Sequence, residues 1–453
     1  MLAAVLAVAL SQWGPEPSPG MQQYDPGSVC QRTGGRCFLN RSGNRPRENY
    51  AFFEFAPASG AGMGTACACT TPTGAKGEAL TFTRTGNATC SKQGLATTGI
   101  LNGDLVVCAG GQPRVESSGG VLGLRVEGAR TNETLRSQEI NNVVWATTAA
   151  GVAAPTITAD FAAAPDGTTT ADRMQIPACP TAGVDASGVN QTSATIASPS
   201  SSSVYLKANA GTPSVSVCMY GITTGTRACT QFALNTSTWT RAVVPNVTNT
   251  GGMNMEIACE NRTASYTGAT NTGAADILVW GAQSEAGAYA TSYIPTVASA
   301  VTRNADDAYF DLSTFTLGNL SLAATAQTPS TTPVRRLHGA LTKAPDDGAN
   351  FIATHQDTVV LFGQFTSTAG SSTWNTGLAT TTGPVRAASF VNGANVGACI
   401  NSTCATNPIG TFNPAQITNP RRLRIGAYST TNGNIDGVAT LVCFQPDDPT
   451  RCR

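Results

Sequence analysis

Only two side chains in this 453-residue chain, His338 and His355, could act as imidazole bases, and neither stands in a nucleophile motif. A Ser-His-Asp hydrolase needs a histidine within hydrogen-bond reach of its nucleophile, and no G-x-S-x-G elbow occurs. Glycoside hydrolysis needs two carboxyl groups that face each other across the bond to be broken. Glu54, Glu116, Glu127, Glu256, Glu260 and Glu285 are scattered over different strand-like runs, and sequence alone does not pair them. No phosphate-cradling G-x-x-x-x-G-K-[ST] loop is present, and no repeat suggests a β-helix. The expectation is no catalytic residue and no organic cofactor.

Binding chemistry has a different inventory. Sugars are held by aromatic rings that stack on C–H faces and by planar amides and carboxylates that take their hydroxyls. The aromatic candidates are Trp374, Tyr428 and Tyr220, with Trp239 and Tyr205 behind them. Trp145, Trp239 and Trp280 belong to strand-like runs and are expected in a core. Trp374, in TAGSSTWNTG, reads as a polar loop and so as an exposed platform. Asp306, Asp307 and Asp436, with Asp346-Asp347, could offer oxygens to a calcium ion, although Asp residues in loops also act simply as turn formers.

Fourteen cysteines are too many for chance in a chain of this kind. Cys30 and Cys37, Cys218 and Cys229, Cys399 and Cys404, and Cys443 and Cys452 each close a short loop. Zinc knuckles want repeated close pairs or histidine partners, and Cys67-Ala-Cys69 has neither. Disulfides and an oxidising, extracellular destination follow.

Charged residues are 12% of the chain, about half the usual ~25%, and the formal net charge is zero. Without a basic field, neither binding to nucleic acid nor electrostatic attachment to an anionic membrane surface is expected. Any partner is neutral and polar, as glycans are. The apolar start MLAAVLAVALSQWGPEPSPG resembles the end of a secretion signal, with Ala7-Val8-Ala9 as a cleavage candidate. It is too short to span a bilayer, which takes about 20 residues.

Short Val-, Thr-, Tyr- and Ile-rich runs broken by Gly, Asn, Asp and Pro recur throughout, which is the rhythm of an all-β chain. Residues 1–48 read as a leader and a Pro/Gly-rich segment, and 49–130 as a small β-rich N-terminal region. Strand candidates such as SSVYLKANA, MNMEIAC and ADILVWGAQ place one sandwich at 131–300. TVVLFGQF, RAASFVNG and VATLVCF place another at 301–453.

Four strings carry a family resemblance: GLRVEGARTNETLRSQEINNVVW (123–145), AAAPDGTTTADRM (162–174), SSVYLKA (202–208) and VWGAQSEAGAYATSYIPTVASAVTRNAD (279–306). They resemble, in order, stretches of phage tail and minor structural proteins that carry a carbohydrate-binding-module-like jelly roll. SFVNGANVGAC (389–399) and RRLRIGAYSTTNGNIDGVATLVCF (421–444) are similar to parts of a concanavalin A-like, laminin G-type sandwich. The resemblance implies tandem β-sandwiches, a jelly roll followed by a concanavalin A/laminin G-like domain, behind a disulfide-tied N-terminal region. It implies a virion structural protein that binds a glycan, a cell-surface receptor or neighbouring subunits, and that forms a homo-oligomer. A secreted bacterial cell-surface adhesin built from the same modules is the alternative, which the cysteines and the signal-like start fit. A secreted glycan-degrading enzyme is the third reading. In the resemblance, 279–306 is the seam: Asp276–Ala282 closes the jelly roll with Trp280 buried, and Tyr293-Ile294-Pro295 leads out of it, since Pro does not continue a sheet.

Reductant is expected to lower the melting midpoint of the terminal unit. Closing the loop between Cys443 and Cys452 contributes on the order of 2–3 kcal/mol. A calorimetric trace identical with and without reductant would show that these cysteines are not bridged.

Overall fold

The computed structural model describes residues 51–54, 67–68, 80–94, 96–118, 121–193, 196–223, 227–248, 251–262, 272–312, 320–327, 336–343, 351–356, 360–367, 370–379, 385–393, 395–400, 403–409, 413–417, 421–425 and 437–445. Cys30, Cys37, Tyr428, Asp436 and Cys452 lie outside them.

Strand follows strand along the described chain, and every pairing is antiparallel. Between 146 and 286, ten strands form two five-stranded sheets. The first runs Thr156–Ala162, Ala171–Ile176, Ala275–Ala286, Ser200–Ala208, Thr240–Val247. The second runs Arg227–Ala233, Ser214–Gly221, Met253–Glu260, Ala186–Ser193, Ala146–Ala150. Alternation along each strand decides which side chains meet between the sheets. Val204, Leu206, Ile277 and Val279 point in from the first, and Val189, Val217, Met255 and Ile257 from the second.

The other side of the first sheet is buried as well. Tyr205, Leu278, Trp280 and Trp239 pack there with Ile100, Leu105 and Tyr293 in a second apolar cluster. Tyr205, Trp280 and Tyr293 meet with ring centroids 4.7 to 6.2 Å apart. Trp145 and the two tryptophans of this cluster region are all buried, in line with the sequence reading. A sheet covered on both faces leaves only the second sheet with an outer face.

The strands of 49–130 and 301–453 share sheets. A nine-stranded sheet takes Ala51–Glu54, Cys67–Ala68, Arg114–Ser118 and Val121–Val126 together with Gly437–Gln445, Leu320–Gln327, Val385–Asn392, Asn395–Ile400 and Thr403–Pro408. A seven-stranded sheet takes Thr81–Thr83 together with Asp307–Asp311, Arg421–Ile425, Arg336–Lys343, Phe351–Gln356, Val360–Ser367 and Gly370–Ala379. Leu124, Leu320, Leu322 and Val391 of one sheet and Phe310, Ile352, Phe365 and Leu423 of the other fill the space between. The jelly roll is therefore an insertion within this larger sandwich. The chain leaves through Arg130–Asn132 and returns through Val301–Arg303, and these two strands pair with each other, Thr131 opposite Thr302.

Trp374 lies in the strand Gly370–Ala379, opposite Gly363, and not in the loop expected of TAGSSTWNTG. Small polar residues look like a turn in sequence, yet nothing stops them pairing when neighbouring strands offer a ladder. Cys218 is bonded to Cys229 and Cys399 to Cys404, each across one strand pair with Cα atoms 4.0 Å apart. Cys67 is bonded to Cys90, and the Sγ of Cys108 lies within 4.8 Å of both.

Gly281 interrupts the long strand Ala275–Ala286 at φ +66°, where the register against Ser200–Ala208 slips by one residue. A Cβ there would sit 3.0 Å from the Tyr205 ring. Left-handed backbone costs a non-glycine residue roughly 1–2 kcal/mol before any contact. Gly281→Ala is expected to lower unfolding free energy by about 2–3 kcal/mol in a urea titration, and a change under about 0.5 kcal/mol would remove this account of the bulge.

Candidate functional site

Two constellations of polar side chains stand out: one inside the neck between the sandwiches, the other on the outer sheet of the jelly roll.

At the neck, Glu127 is fully buried and accepts from three directions. Arg114 Nη1 lies 2.8 Å and Arg303 Nη1 3.1 Å from its Oε2, while Ser292 donates its N–H and its hydroxyl at 2.9 and 2.6 Å. Asp306 takes Arg84 Nη1 at 3.0 Å, the other terminal nitrogen of Arg114, and the backbone N–H of Glu127 at 2.9 Å. Arg125 reaches Glu116 at 2.9 Å. Burial by itself would raise the Glu127 carboxyl, but the guanidiniums of Arg303, Arg114 and Arg125 and the Ser292 hydroxyl hold it well below the usual carboxylate range.

Asn132 connects the same neck to the jelly roll. Its amide donates to the carbonyls of Ala282 and Ile294 at 3.1 and 2.8 Å, and its oxygen accepts from the N–H of Thr134 and Ser284 at 3.0 and 3.1 Å. Glu285 accepts from Thr291 and Gln283, each at 2.7 Å. Burial raises its carboxyl, and Arg130 only partly offsets this. Tyr293 hydrogen-bonds Ser137 at 2.7 Å, and its carbonyl accepts from Thr89 at 2.8 Å. The motifs VEGARTN, WGAQSEAG, TSYIPT and VTRNAD thus converge on one place, because each supplies a partner that another would lack.

The Asp pair expected to hold calcium is engaged by cations of the chain itself. Asp306 lies in the neck and Asp307 bonds Arg424 on the neighbouring strand. The carboxylates that sequence left unpaired are likewise accounted for among the described side chains: Glu116 and Glu127 on arginines, Glu285 on Thr291, Glu256 and Glu260 on Arg262.

The outer face of the second jelly-roll sheet collects the residues that alternate with its core. Met253, Met255, Ile257 and Cys259 point inward, so Asn254, Glu256 and Glu260 point outward. Asn254 donates to Asn190 at 3.0 Å and to Thr192 at 2.9 Å. Asn190 donates to Thr148 at 3.0 Å, and Thr148 donates to Glu256 at 2.6 Å. Arg262 forks onto both oxygens of Glu256 at 2.9 and 3.0 Å. Tyr220, half-buried, stands opposite Asn254 on the next strand. Thr192 is exposed, while Thr148 and Asn190 are half-buried. Asn254 Oδ1 and Ser216 Oγ, both buried on this face, receive no hydrogen bond from the protein. Asn254 and Glu256 are buried beneath this face, so the groups it offers outward are Thr192, Asn190, Thr148 and the Tyr220 ring, which suit hydrogen bonding and stacking to a polyhydroxylated molecule.

Of the predicted ligand residues, only Tyr220 joins this face. Trp374 belongs to the other sandwich, its side chain outside the described residues, as is the whole of Tyr428. Asn190, Thr192 and Asn254 were absent from the sequence reading, although the alternation of MNMEIACE already separates Asn254 and Glu256 from the methionines.

No protein-family model matches the chain, and no curated protein matches it. Among solved structures it is similar to the mouse laminin alpha1 chain, domains LG4-5, at 9% identity and a TM-score of 0.21, covering 65% of this chain and 91% of that one. At that TM-score the fold class rests on the strand pairing alone: two all-β sandwiches, one inserted in the other and not in the tandem order expected from the sequence, tied by disulfides. No helix among the described residues is long and apolar enough to cross a membrane.

Glu127→Gln is expected to cost about 3–5 kcal/mol in denaturant unfolding, since it leaves buried guanidiniums short of an acceptor. The pH dependence has a definite sign. A carboxyl held below its unfolded value stabilises the fold fully above that value, about 4.3, and this contribution fades as pH falls through it toward the folded value. Wild type should therefore lose stability below about pH 4.3 more steeply than the Gln variant, and parallel acid titrations would refute the assignment.

Proposed function

We propose that this chain is a non-catalytic adhesive protein that binds cell-surface glycan through the outer jelly-roll sheet. The observation that carries the reading is the row of Thr148, Asn190 and Thr192, held in place by the buried Asn254 and Glu256, with Tyr220 beside it. A pyranose can exchange hydrogen bonds with the exposed Thr192 hydroxyl and the half-buried Asn190 while its C–H face lies on the tyrosine ring. The two-sided burial of the opposite sheet leaves this face as the one the jelly roll can offer. Trp374, on the larger sandwich, is the second candidate platform.

The wider setting we infer is a virion- or tail-associated protein acting as a homo-oligomer beside other structural subunits, on the strength of the four resembling strings, two of which, 123–145 and 279–306, meet at the neck. Export to a cell surface is the competing context, favoured by the disulfides between Cys67 and Cys90, Cys218 and Cys229, and Cys399 and Cys404. Against catalysis stands the engagement of the described glutamates with arginines and hydroxyls of the chain.

A glycan array read with wild type, Asn190→Ala/Thr192→Ala, Tyr220→Ala and Trp374→Ala tests the site. At least a tenfold loss of affinity is expected for the jelly-roll variants at a temperature where circular dichroism shows each still folded, the Asn190→Ala/Thr192→Ala variant melting lower because it leaves the Asn254 amide without its acceptors. Full retention by those variants with loss by Trp374→Ala would move the site to the larger sandwich. Release of reducing sugar by the wild-type protein would overturn the non-catalytic reading.

A further inference from the structure

Two thiols meet in the core of the jelly roll. Cys179 follows the first-sheet strand Ala171–Ile176 after two intervening residues, and Cys259 lies on the second-sheet strand Met253–Glu260. Both are wholly buried in the cluster that joins the two sheets, and they are within hydrogen-bond reach of each other. The backbone around Cys179 is fixed on both sides: its N–H donates to Thr272 at 3.0 Å, and its carbonyl accepts from Asn261 at 2.8 Å. Asn261 is two residues beyond Cys259, so the same segment that carries one sulfur anchors the other.

We propose that Cys179 and Cys259 form a disulfide in the mature protein, a staple that joins the two sheets of the jelly roll. The three bridges already described in this chain argue that it matures under oxidising conditions, and the opposed positions of these sulfurs leave them no nearer cysteine among the described residues of the jelly roll. Cys218–Cys229 and Cys399–Cys404 join neighbouring strands, across sequence separations of 11 and 5. The new bridge would instead enclose residues 180–258, about half of the inserted module. In the reaction two S–H bonds break and one S–S bond forms. The two protons and two electrons pass to the disulfide of a thiol–disulfide oxidoreductase, which leaves as the dithiol. The order of events follows from burial. Attack on that disulfide needs a thiolate, and burial raises both thiols above their ordinary value, so oxidation takes place before the sandwich closes around them.

The test uses the full chain exported to an oxidising compartment and purified without reductant. It is unfolded in guanidinium with iodoacetamide, digested and weighed. The expected product is a cross-linked peptide pair containing Cys179 and Cys259, which separates on reduction with two thiols gained. Alkylation of both residues before reduction, or pairing of either with another cysteine, overturns the proposal. A Cys179→Ala/Cys259→Ala variant supplies a second readout. Its melting midpoint should lie several degrees below wild type without reductant, and the gap should shrink when both are reduced. A gap that stays the same in reductant means that the two side chains act by packing alone.

Discussion

Four guanidiniums and three carboxylates are withdrawn from water at the neck, and the junction of the two sandwiches depends on their ion pairing, even with the Nε atoms of Arg114, Arg125 and Arg303 left without an acceptor among the described residues. Arg84, Arg114, Arg125 and Arg303 face Glu116, Glu127 and Asp306, drawn from segments as far apart as residues 84 and 306. An uncompensated charge in such a place costs several kcal/mol, so the outgoing and returning segments have essentially one way to sit together. Apolar contacts would hold them nearly as well, but hydrophobic attraction is non-directional and would tolerate sliding. The ion network and the Asn132 amide impose direction, and the aromatic cluster of Tyr205, Trp280 and Tyr293 supplies the bulk around them.

Much of the fold was legible because strand alternation is local. SSVYLKA sends Val204 and Leu206 one way and Tyr205 the other, and any reader of period two can see it. Which strand pairs with which was not legible. Val121–Val126 reads equally well as part of a small N-terminal domain, yet it hydrogen-bonds Gly437–Gln445, because sheet pairing over that distance leaves no trace in either sequence alone. The partners of the Asp306-Asp307 doublet were hidden for a related reason. Consecutive residues in extended chain point to opposite sides, so one carboxylate enters the neck and the other meets Arg424, and adjacency in sequence carried no information about a shared ligand.

The outer jelly-roll face shows the same division. Its polar rows follow from alternation in MNMEIACE and ASGVNQTS, which sequence displays. Their assembly into one platform follows from the register of Asn190 with Glu256 and Thr192 with Asn254, which only the sheet reveals. Tyr220 was legible as an aromatic near a hairpin, but its neighbours were not. Individual residue types point toward a chemistry, while the site arises when four strands bring them abreast.

The pairing of Thr131 with Thr302 puts both ends of the inserted module side by side. Such a module is a cassette: a host lineage could exchange it for another without rerouting the larger sandwich, provided the incoming ends stand equally close. Tension along the polypeptide is also routed in a particular way. A pull on the outer sandwich meets the short ladder at the neck first, and the strands beyond it carry load only after that ladder has unzipped.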